Sequence, residues 1–121
     1  MNLTLHILIV GMVLLSGCAS DLDLNALTKQ PLKVTSFSEA REASERHIAC
    51  PSSEQETLAA WFEAHRTGWK RSYDTYAPGV LKVSGTNFTL DVWTTRVILN
   101  VSGHPQYVRD ASVSEFTFLS P

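Results

Sequence analysis

Residues 79–119 alternate between apolar and polar side chains, and this period of two limits the fold more than any other feature of the chain. Phe88, Leu90 and Val92, for example, fall on one face of an extended segment. Gly-, Ser- and Asn-containing turn signals separate most of the alternating runs. The pattern predicts five strands, at residues 80–83, 88–94, 97–101, 106–109 and 113–119. Because the turn at residues 94–96 is weak, one long bent strand over 88–101 is the alternative to two separate ones.

An amphipathic helix is predicted before these strands, from Glu54 to about Thr67. Ser53 and Glu56 have the Ser-x-x-Glu spacing of a capping box with Ser53 as N-cap, and Gly68 suits a left-handed C-cap. The spacing i, i+3, i+4, i+7 defines one core-facing stripe, with a hydrogen-bonded histidine at its boundary: Leu58, Trp61, Phe62 and His65.

Two shorter elements are predicted before the helix. Residues 32–37 have the composition of a strand, and Glu42 and Arg46 have the i, i+4 spacing that supports a short exposed helix over residues 38–46. The fold class is therefore α+β: an antiparallel β-meander of about four to six strands, packed against one main α-helix, plus a short helix.

The N-terminus carries a targeting signal. Residues 3–17 contain no charge, and the apolar run over residues 5–15 is too short for the roughly 20 residues of a membrane-spanning helix. This run ends in Leu-Leu-Ser-Gly-Cys at residues 14–18, which resembles the lipobox of bacterial lipoprotein precursors. The resemblance implies cleavage before Cys18 and acylation of Cys18, which anchors the protein in a membrane. In such lipoproteins an Asp directly after the cysteine tends to retain the protein in the inner membrane. Because Ala19 stands there, the resemblance implies the outer membrane, with the domain facing the periplasm. An ordinary cleavable signal beside a cysteine is the alternative.

This interpretation divides the chain into a signal peptide (1–17), a lipidated N-terminus with a flexible tether (18–31) and a single domain (32–121). An acylated domain needs no membrane-binding face of its own. The charge agrees, since ten Lys and Arg stand against twelve Asp and Glu, giving a net charge of −2. Without a basic tract, the chain is not expected to bind nucleic acid.

Catalytic chemistry finds little support in the sequence. Cys50 is the second cysteine, and it is expected to be a small buried residue. The alternatives are an intermolecular disulfide, or a disulfide with Cys18 if that residue is not acylated. His47 and Cys50 are two potential metal ligands three residues apart, but a metal site needs three or four. The remaining candidates, His65 and His104, have no paired spacing. No family signature accompanies a Cys50–histidine pair oriented by Asp91, or a carboxylate pair drawn from Asp74, Asp91, Asp110 and Glu115. We predict no catalytic residue, metal or cofactor; a small envelope enzyme using Cys50 is the alternative.

The connection at residues 68–79 is the strongest candidate for a binding surface. It holds Trp69, Arg71, Tyr73 and Tyr76, which are residue types enriched at binding hot spots. In the alternative, Trp69 and Tyr76 fold back as a lid over the end of the sheet, and Arg71 and Tyr73 are the better exposed pair. Trp93 is a further candidate, because it lies on the opposite face of its strand from Phe88, Leu90 and Val92.

These residues predict a binding module for an envelope protein or the peptidoglycan. One version is an immunity-type lipoprotein that inserts a loop into the active site of a toxin. A purely structural envelope component is the remaining alternative.

Overall fold

A computed structural model describes residues 22–120. Seven strands form one antiparallel sheet in the order β2-β1-β4-β5-β6-β7-β3. Their bounds are β1 Leu32–Ser38, β2 Arg41–Ile48, β3 Lys70–Arg71, β4 Leu81–Ser84, β5 Phe88–Val92, β6 Arg96–Val101 and β7 Tyr107–Asp110. The helices are α1 Leu24–Leu27, α2 Ser53–Ala64 and a 3₁₀ helix, η1, at Val113–Leu119. The α+β class is confirmed, although the described residues contain more strands than predicted.

The sheet has two different faces. The inner face is apolar and forms one core with the buried side chains of the three helices. The alternation of β4–β6 produces this face, with contributions from Val83, Leu90 and Leu99. The outer face carries the intervening residues, such as Lys82 and Asp91. β5 and β6 are separate strands, because Trp93 N donates to Arg96 O at 2.8 Å and closes the turn between them.

The short helix predicted at residues 38–46 is wrong. These residues turn and enter β2, which pairs with β1 from Leu32↔Ile48 to Ser38↔Arg41. The cause is energetic: an i, i+4 ion pair contributes about 0.3–0.5 kcal/mol, whereas the hairpin satisfies a ladder of backbone hydrogen bonds. Glu39 and Ala40 form the turn with φ of 52° and 61°. Asn or Gly normally occupies turn positions with positive φ, and this turn contains neither.

The strand predicted at residues 113–119 is also wrong, because this segment is η1. Ser112 and Glu115 form a capping box in which Glu115 Oε2 accepts from Ser112 N at 2.7 Å. Phe116 and Leu119, three residues apart, are fully buried. A spacing of three matches the 3₁₀ period, so the capping signal and the apolar spacing together outweigh the β-propensity of the segment.

The main helix forms where it was predicted but with shifted ends. Ser52, rather than Ser53, is the N-cap, and its Oγ accepts from Gln55 N at 3.1 Å. The helix ends at Ala64 with His65 as its C-cap, so Gly68 is not the C-cap. Gly68 does have a φ of 85°, and the Arg109 guanidinium occupies the space that a β-carbon would need.

Residues 22–30, assigned to the flexible tether, belong to the folded domain. Leu22, Leu24 and Leu27 are buried in the core, and Thr28 is fully buried. Gln55 Nε2 donates to Thr28 O at 2.8 Å, which fixes this segment to α2. The rest of the tether before residue 22, including Cys18, and the predicted signal peptide lie outside the described residues. None of the helices within residues 22–120 combines the length and the apolar character that crossing a bilayer requires.

Candidate functional site

The connection between β3 and β4, residues 72–79, is here called the strap. It leaves β3 at one edge of the sheet and reaches β4, which lies between β1 and β5. Ser72 N donates to Gln106 O at 2.9 Å, and Gln106 Nε2 donates to Asp74 O at 2.7 Å. The Ser72 and Tyr76 hydroxyls are hydrogen-bonded at 3.0 Å. These bonds attach the strap to Gln106, the residue before β7, and to itself along its first five residues.

Tyr76 places the strap against the outer face of the sheet. Its ring packs edge-on against Trp93, with 6.2 Å between centroids. The Arg96 guanidinium lies 5.1 Å from the Tyr76 ring centroid and 5.6 Å from that of Trp93. Gly79 permits this approach, since a β-carbon there would lie 2.9 Å from Trp93 Cδ1. Trp93 is therefore on the outer face, as predicted, but the strap half-buries it.

Tyr73 projects from the strap into solvent. Its side chain is 85% exposed, and within residues 22–120 Val80, at 40%, is the one other large hydrophobic residue that is exposed. The residues on either side of it, Ser72 and Asp74, are held by the two hydrogen bonds to Gln106. Arg71 Nη1 also donates to the Tyr73 hydroxyl at 3.4 Å. The result is a large aromatic side chain presented on an ordered loop.

Trp69 lies in the core rather than on the exposed surface. It is 8% exposed, and its Nε1 donates to His65 O at 2.7 Å. Its ring lies 6.2 Å from Trp61 and 6.5 Å from Phe62, between centroids. Trp69 and Tyr76 thus both fold back, onto opposite faces of the sheet. Of the five predicted contact residues, Arg71 and Tyr73 form the exposed pair, and the candidate surface consists of these two.

The outer face also holds a carboxylate without a full set of partners. Asp91 and Lys82 are directly opposite each other on β5 and β4. Burial raises the pKa of Asp91, and the nearby Lys82 opposes that shift. Asp91 Oδ1 and Trp93 Nε1 are both buried and have no hydrogen-bond partner in the described part of the chain. The ionised form of Asp91 is therefore costly in this position.

His65 and Glu115 belong to a network that joins α2 to η1. Glu115 Oε1 accepts from Trp61 Nε1 at 3.1 Å and lies 3.5 Å from His65 Nε2. The hydrogen bond from Ser112 N is the main cause that lowers the pKa of Glu115. His65 stacks on Trp61, and its Nδ1 lies 2.6 Å from Trp61 O. His65 is thus a hydrogen-bonded boundary residue, as predicted, and its contacts are those of a structural residue.

The geometry separates Cys50 from two of its possible histidine partners. Cys50 precedes α2 and His65 caps its other end, which places them about 18 Å apart along a 12-residue helix. His104 lies beyond β6, four strand spacings or about 19 Å from β2. His47 is exposed on β2, where its Nε2 lies 3.6 Å from Glu45 Oε1. No group of three or more His, Cys, Asp or Glu residues within 22–120 is placed to hold a metal ion.

Sequence patterns did not indicate three residues that shape this surface. Arg96 lies opposite Trp93 across the turn at Thr94 and Thr95, and recognising a two-residue hairpin loop there would have paired them. Gln106 and Tyr107 reach the strap and Arg71 through the pairing of β3 with β7. That pairing joins residues far apart in the chain, and no local sequence pattern predicts it.

The chain was compared with protein-family models, with curated proteins and with solved structures, and none of the three comparisons gave a match.

Proposed function

We propose that this protein is a membrane-anchored periplasmic lipoprotein whose domain binds another envelope protein or a toxin, with Tyr73 as the protruding anchor. The observation that carries the proposal is the exposure of Tyr73 between Ser72 and Asp74, both of which are hydrogen-bonded to Gln106, the residue before β7. A large exposed aromatic residue on an ordered loop is typical of protein-binding surfaces.

The energetics favour such an arrangement. Tyrosine buries a large rigid ring at low cost in side-chain entropy, and truncation of a hot-spot residue costs about 2 kcal/mol or more. A loop that is ordered before binding also avoids most of the entropy cost of immobilising it. On this basis, Tyr73→Ala weakens binding by roughly thirtyfold or more.

The proposed anchor and the observed domain boundary fit together. The core begins at or before Leu22, so no more than three residues separate it from Cys18. The four steps from Cys18 to Leu22, at about 3.5 Å each, span at most roughly 14 Å. An acylated Cys18 would hold the domain close to the bilayer. The strap crosses the outer face of the sheet and α1 packs on the inner face, so attachment through α1 leaves the strap accessible.

The anchor is tested by the mass of the mature N-terminal peptide, taken from the detergent-soluble envelope fraction of the native host. An acylated peptide beginning at Cys18 is expected. An unmodified peptide would remove the membrane anchor from the proposal, and binding would then have to be sought outside the envelope.

The binding surface is tested by photo-crosslinking in that host. A benzophenone amino acid replaces the exposed Thr75, two residues after Tyr73 on the strap, and a matched control places it at the exposed Ala43 on β2, at the opposite edge of the sheet. We expect one discrete protein adduct from position 75 that is absent from position 43 and is lost in Tyr73→Ala. An adduct that persists unchanged in Tyr73→Ala would contradict the role of Tyr73.

A further inference from the structure

Arg71 is the exposed residue whose charged group is best positioned for a ligand. It lies directly opposite Tyr107 across β3 and β7, and its Nη1 donates to the Tyr73 hydroxyl at 3.4 Å. Hydrogen bonding to the Tyr73 hydroxyl is the main cause that raises the pKa of Arg71. The guanidinium is therefore bonded to the phenol of Tyr73, and its side chain is otherwise exposed.

The positive charges of Lys70 and Arg71 are not neutralised by ion pairs within residues 22–120. Lys70 and Arg71 are adjacent and exposed, and neither forms an ion pair with any residue in 22–120. Among the other exposed cations within residues 22–120, Lys33 and Arg66 have such partners, whereas Lys29, Arg41 and Arg96 do not. Lys70 and Arg71 differ from these in being adjacent in the chain. The β3 edge thus combines two uncompensated cations with the exposed Tyr73 ring, in a chain with a net charge of −2.

We propose, building on the function proposed above, that this edge docks onto an acidic cleft of a protein partner. Tyr73 enters the cleft and Arg71 binds a carboxylate at its rim, with Lys70 adding to the attraction. A planar guanidinium matches a carboxylate with two parallel hydrogen bonds, and its bond to the Tyr73 hydroxyl places it beside the ring that enters the cleft. The aromatic ring beside it requires an apolar pocket, which a folded protein provides.

An anionic lipid surface is a poorer match for this domain. Lys70 and Arg71 supply only two cations beside Tyr73, fewer than the clusters of four to eight that hold proteins on acidic membranes. The docking of Arg71 is therefore assigned to carboxylates, and contact with lipid is an outcome that the test distinguishes.

The test uses the full chain in the native host with the benzophenone probe at position 75. Arg71→Glu is expected to reduce the adduct about tenfold or more, and Arg71→Lys severalfold, because lysine keeps the charge but loses the paired hydrogen bonds. The control is Arg41→Glu, an equally exposed reversal on β2 at the opposite edge of the sheet, which should leave the adduct unchanged. Raising the salt concentration in isolated envelopes should weaken the adduct further.

The two proposals fail in different ways. If Tyr73→Ala removes the adduct but Arg71→Glu and added salt do not, the acidic cleft is wrong and the binding function stands. If neither substitution changes the adduct, the binding function itself fails. An adduct to lipid, or a cross-linked partner peptide without neighbouring Asp or Glu, also overturns the acidic cleft. Arg71 is exposed, so unchanged thermal unfolding of Arg71→Glu will show that lost binding is not lost folding.

Discussion

Replacing Leu27 by alanine tests whether the segment before β1 is core or tether. Leu27 is 5% exposed and packs in the main core. A buried Leu→Ala change costs about 2–5 kcal/mol, through lost apolar burial and the cavity that remains. Taking about 3 kcal/mol and a urea m-value of about 2 kcal/mol/M, the midpoint of unfolding should fall by roughly 1.5 M. The melting temperature should fall by about 12 °C or more.

The matched control is Lys29→Ala, two residues away and exposed. Urea unfolding followed by tryptophan fluorescence should show a change of less than about 0.5 kcal/mol for this control. The m-values of the two variants should agree, so that a midpoint shift reports stability. If Leu27→Ala resembles Lys29→Ala, residues 22–30 are a tether after all, and the estimate of a three-residue spacer after Cys18 is wrong.

Three further predictions concern stability and chemistry. Glu39→Asn with Ala40→Gly, at the positive-φ turn, should raise the free energy of unfolding by about 1–2 kcal/mol, measured in urea; no gain would mean that the turn is not strained. Burial raises the pKa of Asp91 in the folded state, so ionisation costs stability as pH rises through that pKa. Asp91→Asn should therefore be the more stable form at neutral pH, with the difference vanishing below about pH 4 in pH-dependent unfolding; a constant difference would contradict this. Cys50→Ser should leave the strap-dependent adduct unchanged, and a lost adduct would require a role for the thiol.

The parts of the fold that the sequence predicts are those with short-range signals. The alternation in β4–β7 and the apolar stripe of α2 predict those elements to within about two residues at most ends. β2 was missed because its Glu42 and Arg46 fit a helix, and its turn at Glu39 and Ala40 has no turn residue. Such elements depend on tertiary pairing, which outweighs local propensity.

The candidate site shows the same division. Trp69 and Tyr73 are aromatic residues in the same connection, and nothing local distinguishes them. Trp69 turns inward because its indole reaches His65 O beside Trp61, whereas Tyr73 follows β3 and faces solvent. Which of the two is exposed depends on the pairing of β3 with β7 and on the end of α2. Neither is visible from spacing, so residue type could not predict whether Trp69 and Tyr76 fold back, although Arg71 and Tyr73 follow as the exposed pair once they do.

The most direct measurement of the binding proposal is the backbone mobility of the strap in the free protein. Because Ser72 and Asp74 are hydrogen-bonded to Gln106, the residue before β7, ¹⁵N relaxation should give residues 72–76 order parameters of about 0.85, like those of the strands. Gln106→Ala, which removes the bond to Asp74 O, should lower the values in the strap and leave β4–β6 unchanged. Values below about 0.6 in the unaltered protein would show that the strap is not ordered before binding. This result would contradict the proposal that Tyr73 is an anchor on an ordered loop.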